Sequence, residues 1–130
     1  MTDALETAAD HRPGDVVHIV LFRFRATASR EDRAEVQRRF LALADAERDG
    51  RRYIRSIRSG PQVSPEGAGH GFDIGFVVEF ASEGDRNFYL GRPFVGDAPY
   101  DLPHDAFKAS VGGFVEDVLV FDLVAGTTAT

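Results

Sequence analysis

The chain has 130 residues, a formal net charge of −6 and no cysteine. A chain of this length suits one domain that buries about two thirds of its unfolded surface. Without cysteine it has no disulfide scaffold, thiolate zinc site, iron–sulfur cluster or cysteine nucleophile, and its acidic balance argues against a nucleic-acid partner.

No apolar run approaches the roughly 18 residues that a membrane span needs, so we expect no membrane partner. The first six residues, Met1 to Glu6, are acidic and lack the apolar stretch of a signal peptide. We therefore expect a cytoplasmic protein. The four histidines show no close pair such as His-x-His, so we predict neither a metal site nor a cofactor.

The domain boundaries follow from the polar ends of the chain. Residues 1–14 are polar and close with Arg12-Pro13-Gly14, which predicts a flexible N-terminal arm. Residues 125–130 offer little to pack and predict a frayed tail. Residues 15–124 form the predicted domain.

The first core element is a strand over residues 16–25, rich in β-branched and aromatic side chains. Alternation assigns Val16, His18, Val20, Phe22 and Phe24 to one face. The opposite face begins with Val17, Ile19 and Leu21. Since both faces are apolar, we expect both to be covered, one by helices and the other by a second sheet.

Residues 29–48 predict a helix. Ser29 and Asp32 resemble a capping box, and Val36, Phe40 and Leu43 begin an apolar stripe at helical spacing. Gly50 suits the end of this helix.

Two further strands follow this helix in the prediction. Residues 52–58 form one, and a loop rich in Gly and Pro separates it from another at about 71–81. The latter carries Phe72, Ile74, Phe76, Val78 and Phe80 on one face, which we expect in the core.

The last third of the chain predicts two short helices and a strand. Ser82 caps a helix at about 83–91, and Arg92-Pro93 ends it. An irregular excursion over 94–102 leads to a helix at 103–111, which Gly112-Gly113 stops, and to a strand at 114–123.

The predicted order is β-α-β-β-α-(α)-β. This order is the ferredoxin-like split βαβ arrangement of the α+β class, with a four-stranded antiparallel sheet and helices on one face. A second copy packed sheet to sheet is the economical cover for the apolar outer face, which predicts a homodimer.

Three segments in this order resemble the stress-responsive A/B barrel (Dabb) family of the dimeric α+β barrel superfamily. They are residues 18–24, residues 75–80 and residues 116–122. The resemblance implies homodimers whose two sheets close into one barrel. It extends more distantly to polyketide cyclases of the olivetolic acid cyclase type, which work without a cofactor.

That resemblance implies a catalytic set. His18 matches a first-strand histidine, Tyr89 matches the tyrosine of a Tyr-x-x-His-Pro stretch, and His104 matches a later His-x-x-Phe. Arg92 stands where that stretch has its histidine, and about ten residues interrupt the motif. Tyr100 competes with Tyr89 as the phenol partner, because it lies four residues before His104.

The chemistry of these groups suits acid–base catalysis. His104 is predicted to lie in the first turn of the helix at 103–111, where the helix dipole favours the neutral imidazole, and this ring can take a proton as the base. A tyrosine hydroxyl can hydrogen-bond a developing oxyanion. We expect the substrate to be an apolar or aromatic, polyketide-like small molecule, with these candidate binding residues: Phe22, Phe24, Phe72, Phe76, Phe88 and Arg92.

Three functions remain open at this point. The first is a cofactor-independent cyclase or lyase with aldol-type chemistry. The second is a non-catalytic stress or small-molecule-binding protein, and the third is a cofactor-free monooxygenase of the same superfamily. The fold hosts all three, so it cannot choose between them.

Overall fold

The computed structural model describes residues 6–91 and 102–129, apart from the side chains of residues 102, 103 and 105. Six strands and three helices lie in these ranges. In chain order they are β1 (Pro13–Phe24), α1 (Arg30–Ala42), a 3-10 turn (Leu43–Asp45), β2 (Glu47–Arg48), β3 (Arg51–Arg52), β4 (Ser56–Pro61), β5 (Ile74–Ser82), α2 (Glu83–Leu90), α3 (Leu102–Val111) and β6 (Val115–Val124).

Four strands form one antiparallel sheet in the order β4-β5-β1-β6. The two central strands are β1 and β5, which lie far apart in the chain, and the two edge strands are β4 and β6. This topology confirms the predicted ferredoxin-like α+β fold.

The alternation predicted for β1 is confirmed. Val16, His18, Val20, Phe22 and Phe24 are all buried, whereas the residues between them are half-buried. The helices cover the buried face, and Phe40 of α1 stacks on Phe76 of β5 with ring centroids 3.9 Å apart. Burying side chains of this size supplies the main stabilisation of the domain.

Both predicted helix caps are present. The Ser29 side chain accepts a hydrogen bond from the Asp32 amide, and the Asp32 carboxylate accepts one from the Ser29 amide. The Ser82 hydroxyl likewise accepts from the Asp85 amide at the start of α2. These caps satisfy backbone donors that the first helical turn leaves without partners.

The predicted end of the first helix is wrong. α1 ends at Ala42, and residues 47–52 form a two-stranded hairpin instead of a further helical turn. Asp49 and Gly50 both have positive φ, which is the geometry of a tight two-residue hairpin turn. Gly50 therefore serves a hairpin and does not terminate a helix.

The next two strands lie later in the chain than predicted. Tyr53 and Ile54 are buried in the core without strand pairing, and β4 runs from Ser56 into Pro61. β5 begins at Ile74, so Phe72 lies outside it and is only half-buried. The predicted excursion over 94–102 falls almost entirely outside the described residues.

The described part of the predicted arm packs on the domain. Thr7 is fully buried, and the Glu6 carbonyl accepts a hydrogen bond from the Asn87 side chain of α2. The Ala8 carbonyl lies so close to Gly84 that a Cβ there would stand 1.7 Å from its oxygen. Residues 6–12 are thus attached to α2, and β1 already begins at Pro13.

The outer face of the sheet has no helix over it in the described chain. Its apolar side chains include Ile19 and Leu21 of β1 and the exposed Leu119, Phe121 and Leu123 of β6. Within the described ranges, no helix is long and apolar enough to cross a membrane.

Candidate active site

An apolar cavity of about 350 Å³ lies between the sheet, α2 and α3. Three polar rings reach it: His18 from β1, Tyr89 from α2 and His104 from α3. The rest of its wall is mainly apolar and consists of Val20, Phe22, Phe40, Leu90, Phe107, Val111, Val115, Val118 and Val120, with Lys108 and Gly112 at α3.

His18 is held by an acidic partner across the sheet. The register of β1 against β6 places His18 opposite Asp122, and His18 Nδ1 lies 2.6 Å from Asp122 Oδ1. Because a carboxylate accepts at that nitrogen, Nδ1 carries the proton and Nε2 carries the lone pair in the neutral ring. The same arrangement stabilises an imidazolium once Nε2 has taken a proton.

Asp122 has a second partner from the helix layer. Arg86 Nη1 of α2 lies 2.7 Å from its other carboxylate oxygen, Oδ2. Burial raises the pKa of Asp122, but the hydrogen bonds and charges of His18 and Arg86 outweigh it and hold that pKa below its usual value. Asp122 is therefore a carboxylate near neutral pH.

Tyr89 places a phenol in the interior. Its side chain is 1% exposed, and its ring lies edge-on to His18 with centroids 5.6 Å apart. Burial, and then the negative charge of Asp122, raise the pKa of Tyr89. Among the described residues no group hydrogen-bonds its hydroxyl, which is therefore a buried hydrogen-bond donor.

His104 connects α3 to α2. Its Nδ1 lies 2.5 Å from the Tyr89 carbonyl oxygen, and its ring stacks on the Tyr89 ring with centroids 3.7 Å apart. A carbonyl can only accept, so Nδ1 donates and Nε2 again carries the lone pair of the neutral ring. The ring thus contacts the backbone and the aromatic face of Tyr89.

The structure brings together three of the four predicted catalytic residues, namely His18, Tyr89 and His104. Tyr100 lies outside the described residues, as does Arg92. Of the predicted binding residues, Phe22 lines the cavity and Phe76 supports it by stacking on Phe40.

The other predicted binding residues lie elsewhere. Arg33 covers Phe24, and Phe88 packs on Tyr53 beneath the guanidinium of Arg48. Phe72 lines a separate groove with Leu21, Gln62 and Gly75 at the outer face of the sheet.

Asp122 and Arg86 were not among the site residues predicted from the sequence. Asp122 interrupts an otherwise apolar alternation, Val118-x-Val120-x-Asp122-x-Val124, and a polar residue on such a face was the available signal. In the described chain no three His, Asp or Glu side chains cluster as metal ligands would.

Fold and site together define a ferredoxin-like α+β protein with a histidine–tyrosine cavity beneath its helices. The model of the Stress responsive A/B Barrel Domain (Dabb) family matches residues 16–125, and the chain belongs to that family. Among curated proteins the comparison gives no match.

Several solved structures share the fold. A protein of Arabidopsis thaliana is 22% identical with a TM-score of 0.72, and the match covers 88% of this chain and 99% of that one. The hydroxynitrile lyase of Passiflora edulis is 18% identical, also with a TM-score of 0.72, over 91% and 99% of the two chains. A dimeric Bacteroides fragilis protein of unknown function is 25% identical, with a TM-score of 0.59 over 88% and 99%.

The Asp122 carboxylate makes a pH-dependent contribution to stability. Because its pKa is lowered in the folded state, the contribution is complete above the ordinary aspartate pKa of about 4 and is lost as pH falls through the lower folded-state value. We expect the gap in melting temperature between the wild type and Asp122→Asn to narrow as the pH falls from about 5 to about 2.5. Calorimetry at several pH values measures it.

Asp45→Asn is the matched control, because Asp45 pairs with Arg52 at 83% side-chain exposure. An exposed pair of this kind contributes little. If the difference in melting temperature between the wild type and Asp122→Asn stays constant over the same pH range, Asp122 is not the carboxylate that His18 and Arg86 stabilise in the folded state.

Proposed function

We propose that this protein is a cofactor-independent enzyme that makes or breaks a carbon–carbon bond in a small, apolar carbonyl compound. The reaction class is that of an aldol-type cyclase or lyase, and a polyketide-like chain is a fitting substrate. One observation carries the proposal: His18, Tyr89 and His104 converge on one apolar cavity, and each histidine presents Nδ1 to an acceptor.

His18 is the better general base. After Nε2 takes a proton, the ring becomes an imidazolium, and the Asp122 carboxylate at Nδ1 stabilises that positive charge. His104 has a neutral carbonyl at Nδ1, which stabilises the charge less. The sequence predicted His104 as the base, whereas the contacts favour His18.

The first step is enolisation. His18 Nε2 removes a proton from the carbon next to a substrate carbonyl. The C–H electron pair forms the new carbon–carbon double bond, and the C=O π pair moves to the oxygen to give the enolate. The Tyr89 hydroxyl donates a hydrogen bond to that enolate oxygen. A phenol with a raised pKa stays protonated and so keeps its donor role.

The second step forms the bond. The enolate carbon attacks another carbonyl carbon of the same molecule, the C=O π pair moves to its oxygen, and His18 returns the proton to that alkoxide. The balance is an isomerisation that needs no oxidant or reductant. In the opposite direction the same steps cleave an aldol, which is lyase chemistry, and a structural neighbour is a hydroxynitrile lyase.

The test follows the proposed first step directly. In D₂O the enzyme should exchange the acidic C–H protons of apolar 1,3-diketones, and proton NMR measures the rate without a known natural substrate. We expect His18→Asn to lower the exchange rate about 10²- to 10⁴-fold through loss of the base. Tyr89→Phe should lower it about 10²-fold through loss of the oxyanion donor, with the fold retained.

His70→Asn is the matched control, because His70 is an exposed loop histidine with a positive φ that asparagine tolerates. An unchanged rate in His18→Asn would refute the assignment of the base. Tight diketone binding without any exchange in the wild type would instead support the non-catalytic binding protein, and oxygen consumption with a hydroxylated product would support the monooxygenase.

We also propose that the protein is a homodimer whose two sheets pack through their outer faces. Exposed Leu119, Phe121 and Leu123 make this face unusually apolar for a free surface. Three solved structures with this fold are described as dimeric.

Light scattering after size-exclusion chromatography should give twice the chain mass of 14.3 kDa. Phe121→Asp should halve the measured mass, because it places a charge in the centre of the interface. Leu41→Asp, at an exposed position of α1 on the helix side, should leave it unchanged. A monomeric wild type, or a dimeric Phe121→Asp variant, contradicts this interface.

A further inference from the structure

Arg86 of α2 shares the Asp122 carboxylate with His18. Asp122 uses Oδ1 for His18 Nδ1 at 2.6 Å and Oδ2 for Arg86 Nη1 at 2.7 Å. Both distances are typical of hydrogen bonds that a charged group strengthens. One carboxylate therefore serves the imidazole and the guanidinium at the same time.

The guanidinium of Arg86 is fixed by more than Asp122. Its Nε donates to Asn87 Oδ1 at 2.9 Å, and its Nη2 lies 3.8 Å from a carboxylate oxygen of Glu83, one turn earlier on α2. The Asn87 side chain is held in turn, because its Nδ2 donates to the Glu6 carbonyl at 2.9 Å. Each of the three guanidinium nitrogens thus has an acceptor oxygen beside it, and the direction of the planar group toward Asp122 is defined.

The shared carboxylate is largely removed from bulk water. The side chains of His18, Arg86 and Asp122 are 3%, 18% and 22% exposed, respectively. Charges in such a position interact more strongly, and are screened less by salt, than charges on an open surface. A guanidinium also stays charged over the whole pH range in which an imidazole titrates. The charge of Arg86 is therefore a constant influence on His18.

The charge balance around His18 gives Arg86 a role beyond packing. A carboxylate beside a histidine favours the imidazolium, and a ring that is already an imidazolium cannot take a proton from a substrate. The positive charge of Arg86 offsets much of this effect of Asp122. Because Asp122 is the nearer of the two groups, it still stabilises the imidazolium that forms during the reaction.

We propose that Arg86 is a positioning residue for the base: it holds the Asp122 carboxylate in the orientation that serves His18 and limits how strongly that carboxylate favours the imidazolium. This inference rests on the proposed function, because it concerns the same base. Arg86 lies outside the described lining of the cavity, so it acts on His18 through Asp122.

Other groups that face His18 enter the same charge balance. From β5 the apolar ring of Phe80 lies beside it. The further titratable groups among the described residues that line its cavity are Tyr89 of α2 and His104 and Lys108 of α3. These groups remain when Arg86 alone is replaced, so a change in the titration of His18 reports on the Arg86–Asp122 pair.

The experiment removes the charge and keeps a hydrogen-bond donor, with Arg86→Gln. A pH titration followed by ¹⁵N NMR should place the protonation midpoint of the His18 ring about one pH unit higher than in the wild type, because the Asp122 charge is no longer offset. Arg86→Met, which removes the donor as well, should shift the midpoint in the same direction. Arg86→Lys keeps the charge and should restore most of the wild-type midpoint.

The diketone exchange rate separates this role from a merely structural one. In Arg86→Gln the rate should fall about 10-fold at pH values below both midpoints and approach the wild-type rate above both, because only the fraction of neutral His18 changes. Structural damage would instead lower the rate at every pH and leave the midpoint in place.

Arg39→Gln is the matched control. It removes the same charge from a guanidinium that also donates to a carboxylate, Glu35 at 2.6 Å, but on the exposed surface of α1. It should leave the His18 midpoint unchanged, and an equal shift there would overturn the inference. An unchanged midpoint in Arg86→Gln also overturns it and leaves the proposed function intact. Absence of exchange in the wild type refutes the proposed function, whereas the midpoint still decides whether Arg86 acts on His18.

Discussion

The pairing of β1 with β6 is the constraint on which the site depends. It places His18 opposite Asp122 on the buried face of the sheet. A buried imidazole needs a hydrogen-bond partner, and Asp122 supplies it at 2.6 Å. A slip of one residue would turn Asp122 to the outer face and Leu123 to the inner one. The register of the sheet therefore determines whether His18 has its acidic partner.

Side chains of α3 complete the site by hydrogen-bonding to backbone carbonyls at the end of α2. Tyr89 and Leu90 belong to the last turn of α2, whose carbonyls lack partners within the helix. His104 and Lys108 of α3 donate to these two carbonyls, respectively. The two contacts join α2 to α3, and the one made by His104 also fixes its ring beside the buried phenol.

The local features of the fold could be predicted from the sequence, since they depend on neighbouring residues. Alternation in β1 placed His18 correctly, and the caps at Ser29 and Ser82 marked the starts of two helices. The hairpin at Asp49-Gly50 carried an equally local signal, a typical two-residue turn, but the apolar stripe before it suggested a longer helix.

The partners in the site could not be predicted in the same way. Asp122 lies 104 residues from His18, and only the register of the sheet identifies which acidic residue of β6 faces it. The lining of the cavity depends on helix placement as well. Aromatic side chains are typical of a pocket wall, but residue type alone does not identify which of them line the cavity. Packing places three of the predicted ones elsewhere, namely Phe24, Phe72 and Phe88. The cavity is lined instead by Phe40 and Phe107, together with the predicted Phe22.

The proposed chemistry requires that His18 and His104 both carry a proton at Nδ1, so that Nε2 has the lone pair in the cavity. Long-range ¹H–¹⁵N NMR of the histidine side chains through a pH titration measures this directly. We expect that, in the neutral form of each ring, Nδ1 is protonated and Nε2 is not. Protonation of Nε2 in neutral His18 would contradict it, because the proposed base would then have no lone pair to offer the substrate.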